Sequence, residues 1–214
     1  MILSNNQILA RIEQGDLGFS PMIDRFQVQQ HSVDLRLGFT FLIPKAWEMT
    51  DEGRVAVRID HLNHDRQNDR HTLIELEEGQ FFDILPGEYV AVSTLEKIKV
   101  PGDLMGVLYP RSSVNRRGLS IDLTGIVDAG FEGNLLIPVR NNTQHQVIRL
   151  YPGERFCQIT FEEVGGKPVI QQSRWHNKDV IVTIQEERNP TEMEFVRKGD
   201  IRTLKKNYGL NDQK

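Results

Sequence analysis

The chain has 214 residues, enough for one large domain or for a domain with an appendage. Hydrophobic residues make up 38% and charged residues 26%, an ordinary globular balance, and no apolar run approaches the ~18 residues of a membrane span. The net charge of −4 is too small and of the wrong sign for a general nucleic-acid binder, so a polyanion would have to be held by a few local arginines.

The first predicted element is a helix. Ser4 is a suitable N-cap, Ile8, Leu9 and Ile12 share one apolar face, and Gly15 stops it. MILSNNQILARIEQG has no basic region followed by a long apolar core, so it does not read as a signal peptide. After Pro21 the pattern turns β-like, with alternation over Ser32–Gly38 and an apolar run over Phe39–Ile43. Residues 45–72 are polar and irregular, a long excursion carrying His61, His64 and His71. Strand-like runs then recur at His71–Leu76, Phe81–Leu85, Tyr89–Thr94, Leu104–Leu108, Leu119–Leu123, Asn134–Val139, Val147–Leu150 and Phe156–Phe161. Turn signals about every 8–12 residues indicate an all-β sandwich, barrel or jelly roll. Beyond Gly165, Val180–Ile184 reads as a further strand, Thr191 with Glu194 has capping-box spacing, and the tail Lys205–Lys214 is polar and expected to be mobile. This gives a β domain over residues 1–164 and an extension over 165–214. Cys157 is the only cysteine; it suits a reducing cytoplasm and reads as a small buried hydrophobe.

Candidate site residues gather between Tyr109 and Phe161. Arg111-Ser112-Ser113 offers a forked cation, two hydroxyls and turn amides for a phosphate; the same residues also suit a solvated turn before a short helix at Ser113–Arg117. Arg116 and Arg117 add cations one turn on, or form an exposed surface pair. Asp128, bracketed by Gly125 and Gly130, is placed to orient a water, or is a turn-forming aspartate. Gln158, after the Pro152-Gly153-Glu154-Arg155 turn, can donate to a phosphate oxygen or face outward from an alternating strand. Asp34 can hold a water near a metal–phosphate complex or pair with an arginine. No HxE with PCxxC, HExxH, cysteine pair, GxxxxGK[ST] or GxGxxG is present, which removes the zinc-deaminase, P-loop and Rossmann signals.

As a set these motifs resemble the dUTPase and dCTP deaminase superfamily over roughly residues 1–164. MILSNNQILARIEQGDL with HSVDLRLG, Pro86-Gly87-Glu88-Tyr89 and Thr94–Pro101 look like the deaminase branch. Pro110-Arg111-Ser112-Ser113 resembles the superfamily phosphate motif with the dUTPase spelling at its leading Pro, and Gly125-Ile126-Val127-Asp128 with Phe131-Glu132-Gly133 resembles the uracil-hairpin motif. Gly153-Glu154-Arg155 with Gln158 resembles the fourth motif in its dUTPase form, and Arg116 matches an arginine typical of the deaminases. The resemblance implies a distorted jelly-roll subunit, a homotrimer with active sites between subunits, and Mg2+ carried on the triphosphate. It implies Asp128 as the group that activates water, and Arg111, Ser112, Ser113, Arg116, Asp122 and Gln158 as substrate contacts. Asp34 would reach the metal through water.

Two departures bear on the reaction. Where the deaminase pattern has a Glu in the strand after the hairpin, this chain has Pro138, which neither gives nor takes a proton; Glu132 and Asp122 are the nearest carboxylates in sequence. The glycine-rich C-terminal motif that closes dUTPase sites is also missing, leaving Arg197, Lys198, Arg202 and Tyr208 as candidates for closure. The expected activity is therefore hydrolysis of dUTP to dUMP and pyrophosphate. The alternatives are a dCTP deaminase, mono- or bifunctional, and a non-catalytic nucleotide-binding relative.

Overall fold

A computed structural model describes residues 1–59, 62, 71–122, 125–166 and 189–209. The residues fall into two compact units, one of Met1–Pro44 with His71–Thr183, the other of Lys45–Arg70 with Ile184–Lys214.

The larger unit is mostly β with an N-terminal helix, the expected fold class. Helix α1 spans Asn5–Glu13, with Ser4 as N-cap and the Ser4 amide donating to Gln7 Oε1 at 2.9 Å. It buries Ile8 fully, and Arg11 ties its end to Asp16 at 2.6 Å and Asp103 at 2.7 Å. The strands are β1 (Gly18–Ser20), β2 (Val33–Pro44), β5 (His71–Glu75), β6 (Phe82–Ile84), β7 (Tyr89–Lys99), β8 (Leu104–Pro110), β9 (Leu119–Ile121), β10 (Ile126–Val127), β11 (Glu132–Asn141), β12 (Ile148–Leu150) and β13 (Arg155–Glu163). A short helix α2, Ser112–Asn115, follows β8.

The main sheet runs β10-β8-β13-β2-β7-β11-β9, with β1 added on β7 and β5 on β2; β12 pairs separately with β6. Every pairing is antiparallel. Strand β2 joins the two halves. Its first residues pair with β13, and its later ones with β7 and β5. Its alternation puts Val33, Leu35, Leu37 and Phe41 into one core with Val90, Val92, Ile159 and Phe161, each fully buried. Side chains of this size contribute ~1.5–3 kcal/mol each when buried. Cys157 is among the buried apolar residues, and burial raises its thiol well above the ordinary value.

The smaller unit contains elements the pattern did not give. Strands β3 (Trp47–Thr50) and β4 (Gly53–Ala56) form a hairpin inside the expected irregular excursion, with Arg54 over the Trp47 ring at 4.4 Å. Helix α3 (Pro190–Lys198) begins where expected, but its cap is Asn189, whose side chain accepts from Thr191 and Glu192 amides; Pro190 occupies the first turn, where no amide is needed. Helix α4 (Ile201–Asn207), capped by Asp200, ends with the first three residues of the polar tail, and Phe195 and Tyr208 are in edge contact at 6.4 Å. Arg197 and Lys198 lie on α3, Arg202 on α4 and Tyr208 just after it. The Val180–Ile184 strand, His61 and His64 lie outside the described residues. No helix among the described residues is long and apolar enough to cross a membrane.

Candidate active site

A cavity of about 420 Å³ in the larger unit is lined by Gln29, Gln30, His31, Ser32, Asp34, Arg111, Ser112, Ser113 and Gln158. Two pairings of β13 build it. On one side Gln158 stands opposite Asp34 of β2, and on the other it stands opposite Tyr109 of β8, two residues before Arg111. Residues 34, 111 and 158, distant in sequence, are thereby brought to one end of three adjacent strands. The chain leaves β8 at Pro110 and turns into α2, which places Ser112 and Ser113 beside Arg111.

Asp34 is 1% exposed, and its Oδ2 lies 3.2 Å from Arg111 Nε and 3.2 Å from Arg155 Nη1. Gln29 Nε2 donates to the same oxygen at 3.3 Å. Arg111 is held again by its Nη1 donating to the Arg155 carbonyl at 2.9 Å. A guanidinium has five N–H donors, so one fixed at two points still has donors for an anion in the cavity. Burial pushes the Asp34 carboxyl above its usual range, against the pull of Arg111, Arg155 and Arg36. Ser32 Oγ donates to Gln158 Oε1 at 3.4 Å, which leaves the Gln158 NH2 as a donor group. Cation, hydroxyls and amide therefore converge in one polar cavity.

Asp128, Asp122 and Arg116 do not line this cavity. Arg116 is the C-cap of α2 and exposed. Asp122 is exposed just beyond β9, and its Oδ1 accepts from Ser120 Oγ at 2.7 Å. Asp128 is exposed in the turn after β10, where its carbonyl accepts from the Phe131 amide at 3.1 Å. The β10–β8 register pairs Ile126 with Val107 and Val127 with Gly106. Continued by one step it sets Asp128 across from Met105. Arg111, just past the end of β8, is six residues on from Met105, about 20 Å at strand rise. Within one chain, Asp128 and the arginine pocket sit at opposite ends of β8.

Sequence reading did not single out Gln29, Gln30, His31, Ser32 or the Arg155–Asp34 pair. The available signal was the unbroken polar run Gln29–Ser32 placed directly before an alternating strand. No group of three or more His, Cys, Asp or Glu placed to hold a metal ion occurs among the described residues.

The chain matches the dCTP deaminase-like family model over residues 2–164. It is 37% identical over 185 residues to a protein of Dictyoglomus thermophilum named dCTP deaminase, dUMP-forming, covering 83% of this chain and 91% of the relative. A protein of the same name from Persephonella marina is 39% identical over 165 residues, covering 77% and 84%. Among solved structures, the 2'-deoxycytidine 5'-triphosphate deaminase from Agrobacterium tumefaciens superposes with a TM-score of 0.58 at 24% identity, covering 77% of this chain and 49% of that one. This chain thus spans about half the length of that solved protein, and the likeness speaks for the fold. On the match over residues 2–164 and these identities, the chain belongs to the dCTP deaminase-like family.

Proposed function

We propose that this chain converts a pyrimidine deoxynucleoside triphosphate to dUMP, starting from dCTP and releasing ammonia and pyrophosphate. Sequence motifs alone favoured dUTP as the substrate; the names of the relatives support the alternative better, since both are called dCTP deaminase, dUMP-forming. The observation that carries the reading is the polar cavity lined by Arg111, Ser112, Ser113 and Gln158, which together offer a cation, hydroxyls and an amide. That arrangement suits a chain of phosphates more than a neutral ligand.

Arg111 and the serine hydroxyls would neutralise the phosphate oxygens, and Asp34 would hold the Arg111 fork in place. Mg2+ would ride on the triphosphate and supply charge neutralisation there. The described residues offer no carboxylate cluster for it, and the Asp34 oxygen that meets Arg111 and Arg155 is engaged by cations already. Asp128 would take a proton from the water that attacks phosphorus as the α–β bridge breaks. Its separation from Arg111 by the length of β8 supports a site completed by a second copy of the chain, the homotrimer expected of the superfamily.

A second reading rests on Pro138. A proline carries no proton, which favours dUTP as the sole substrate. One incubation separates the readings. With dCTP and Mg2+ the protein should release ammonia and pyrophosphate and leave dUMP. Intact dCTP beside consumed dUTP would establish the second reading. Binding of both nucleotides by calorimetry with turnover of neither would identify a non-catalytic relative.

A further inference from the structure

Pro138 lies inside β11, between β7 and β9. Its carbonyl accepts from the Asp122 amide at 2.9 Å, next to the Val139–Ile121 pair that ends β9. In an antiparallel ladder the two members of such a pair exchange both bonds. Proline has no N–H to return, so the ladder stops after Ile121. Asp122 is thus directly across from Pro138, and residues facing each other in this way share a sheet face with Cβ atoms ~4.5–5.5 Å apart. The burial alternation agrees. Ile121, Ile137 and Val139 point into the core, while Ser120, Asp122, Pro138 and Arg140 do not.

On this outward face Asp122 has company. Ser120 Oγ donates to Oδ1 at 2.7 Å, which fixes the carboxylate rotamer. Arg140 pairs with both Ser120 and Tyr89, and its guanidinium lies 5.8 Å from the centre of the Tyr89 ring. Burial first, and then the Asp122 charge, hold the Tyr89 phenol above its ordinary value, so the carboxylate is felt across the face. Helix α2, which carries Ser112 and Ser113, lies directly before β9 in the chain and contacts it. The other nearby carboxylate, Glu132, is ion-paired to Lys97 at 2.7 Å and lies six residues back along β11, about 20 Å from Pro138.

We infer that Asp122 is the proton carrier for removal of the cytosine amino group, a carboxylate standing across the strand pair from the place where Pro138 supplies none. The inference rests on the dCTP reading above. As water oxygen bonds C4, the carboxylate takes one water proton and passes it to ring N3. It then takes the remaining hydroxyl proton and passes it to the amino nitrogen. The C4–N bond breaks, ammonia leaves, C4 keeps the oxygen as a carbonyl, and Asp122 ends ionised as it began.

The test compares ammonia release from dCTP with pyrophosphate release from dUTP, both with Mg2+, and reads their ratio. Asp122→Asn, which keeps an acceptor for Ser120, should lower the ratio ~10²–10⁴-fold, the usual worth of general acid–base help. Adding Pro138→Glu to Asp122→Asn should recover part of it, which a purely structural role for Asp122 would not allow. Asp122→Glu, with matching thermal melts, guards against misfolding and should hold the ratio within about tenfold of wild type. If wild type deaminates and Asp122→Asn does so at the same ratio, this inference fails and the dCTP reading stands. If wild type frees no ammonia from dCTP while hydrolysing dUTP, that reading fails and takes the inference with it.

Discussion

Asp34 has 1% of its surface exposed, and Arg111 and Arg155 each lie 3.2 Å from the same carboxylate oxygen. Burying a carboxylate without such partners would cost several kcal/mol. Even so, burial outweighs the arginines and the carboxyl sits above its ordinary value of 3.8. The folded state therefore holds this proton more tightly than the unfolded chain. The resulting contribution to stability is full below the unfolded value and fades as pH rises through the folded one. Asp34→Asn removes that term, so the stability of wild type relative to the variant should decline as pH rises above the ordinary carboxyl value of 3.8, measured by urea melts. Because Arg111 loses its anchor, the variant should also raise KM for the nucleotide roughly tenfold, equivalent to ~1.4 kcal/mol of binding. An unchanged KM would mean that Arg111 is held well enough by the Arg155 carbonyl alone.

Strand β2 shows how one element serves both the core and the pocket. Its pairing with β7 shifts register between Leu37 and Phe41, and Gly38 lies in that shift. A Cβ there would come within 2.3 Å of Ser93 Oγ and 2.8 Å of the Thr94 carbonyl. The carbonyl belongs to the β7 ladder and has little room to retreat. Gly38→Ala should cost about 1–3 kcal/mol, seen as a lower urea midpoint at an unchanged slope. The alternation that defines β2 was legible in Ser32–Gly38, and so were α1 from its cap and face and the rhythm of strands through Phe161. The β3–β4 hairpin was hidden because charged residues mask its alternation, and α4 because its seven residues are mostly polar. The pocket was legible by residue type at Arg111, Ser112, Ser113 and Gln158. Its far wall, Gln29 to Ser32, was not, since only the β2–β13 pairing brings it near Gln158.

At the scale of the whole molecule, the position of Asp128 matters most. It follows the end of β10, whose last pair is Val127 with Gly106, away from the arginine pocket of its own chain, and the proposed site using both would draw on two copies. Mixed oligomers test this. Asp128→Asn and Arg111→Ala proteins should each be inactive alone. Unfolded together and reassembled at equal ratio, they should regain about a quarter of wild-type turnover, the chance that adjoining copies each bring the intact residue. No recovery would place both groups in a single-chain site and require Asp128 to move.

Pro138 also gives that edge of the sheet a built-in reporter. With a ring nitrogen where an amide would be, this pair has one main-chain proton, the Asp122 N–H bound to the Pro138 carbonyl. Its exchange with heavy water should follow local fraying of β9 from β11, independently of global unfolding. Nucleotide that settles against this face should slow it before any enzymatic product is formed.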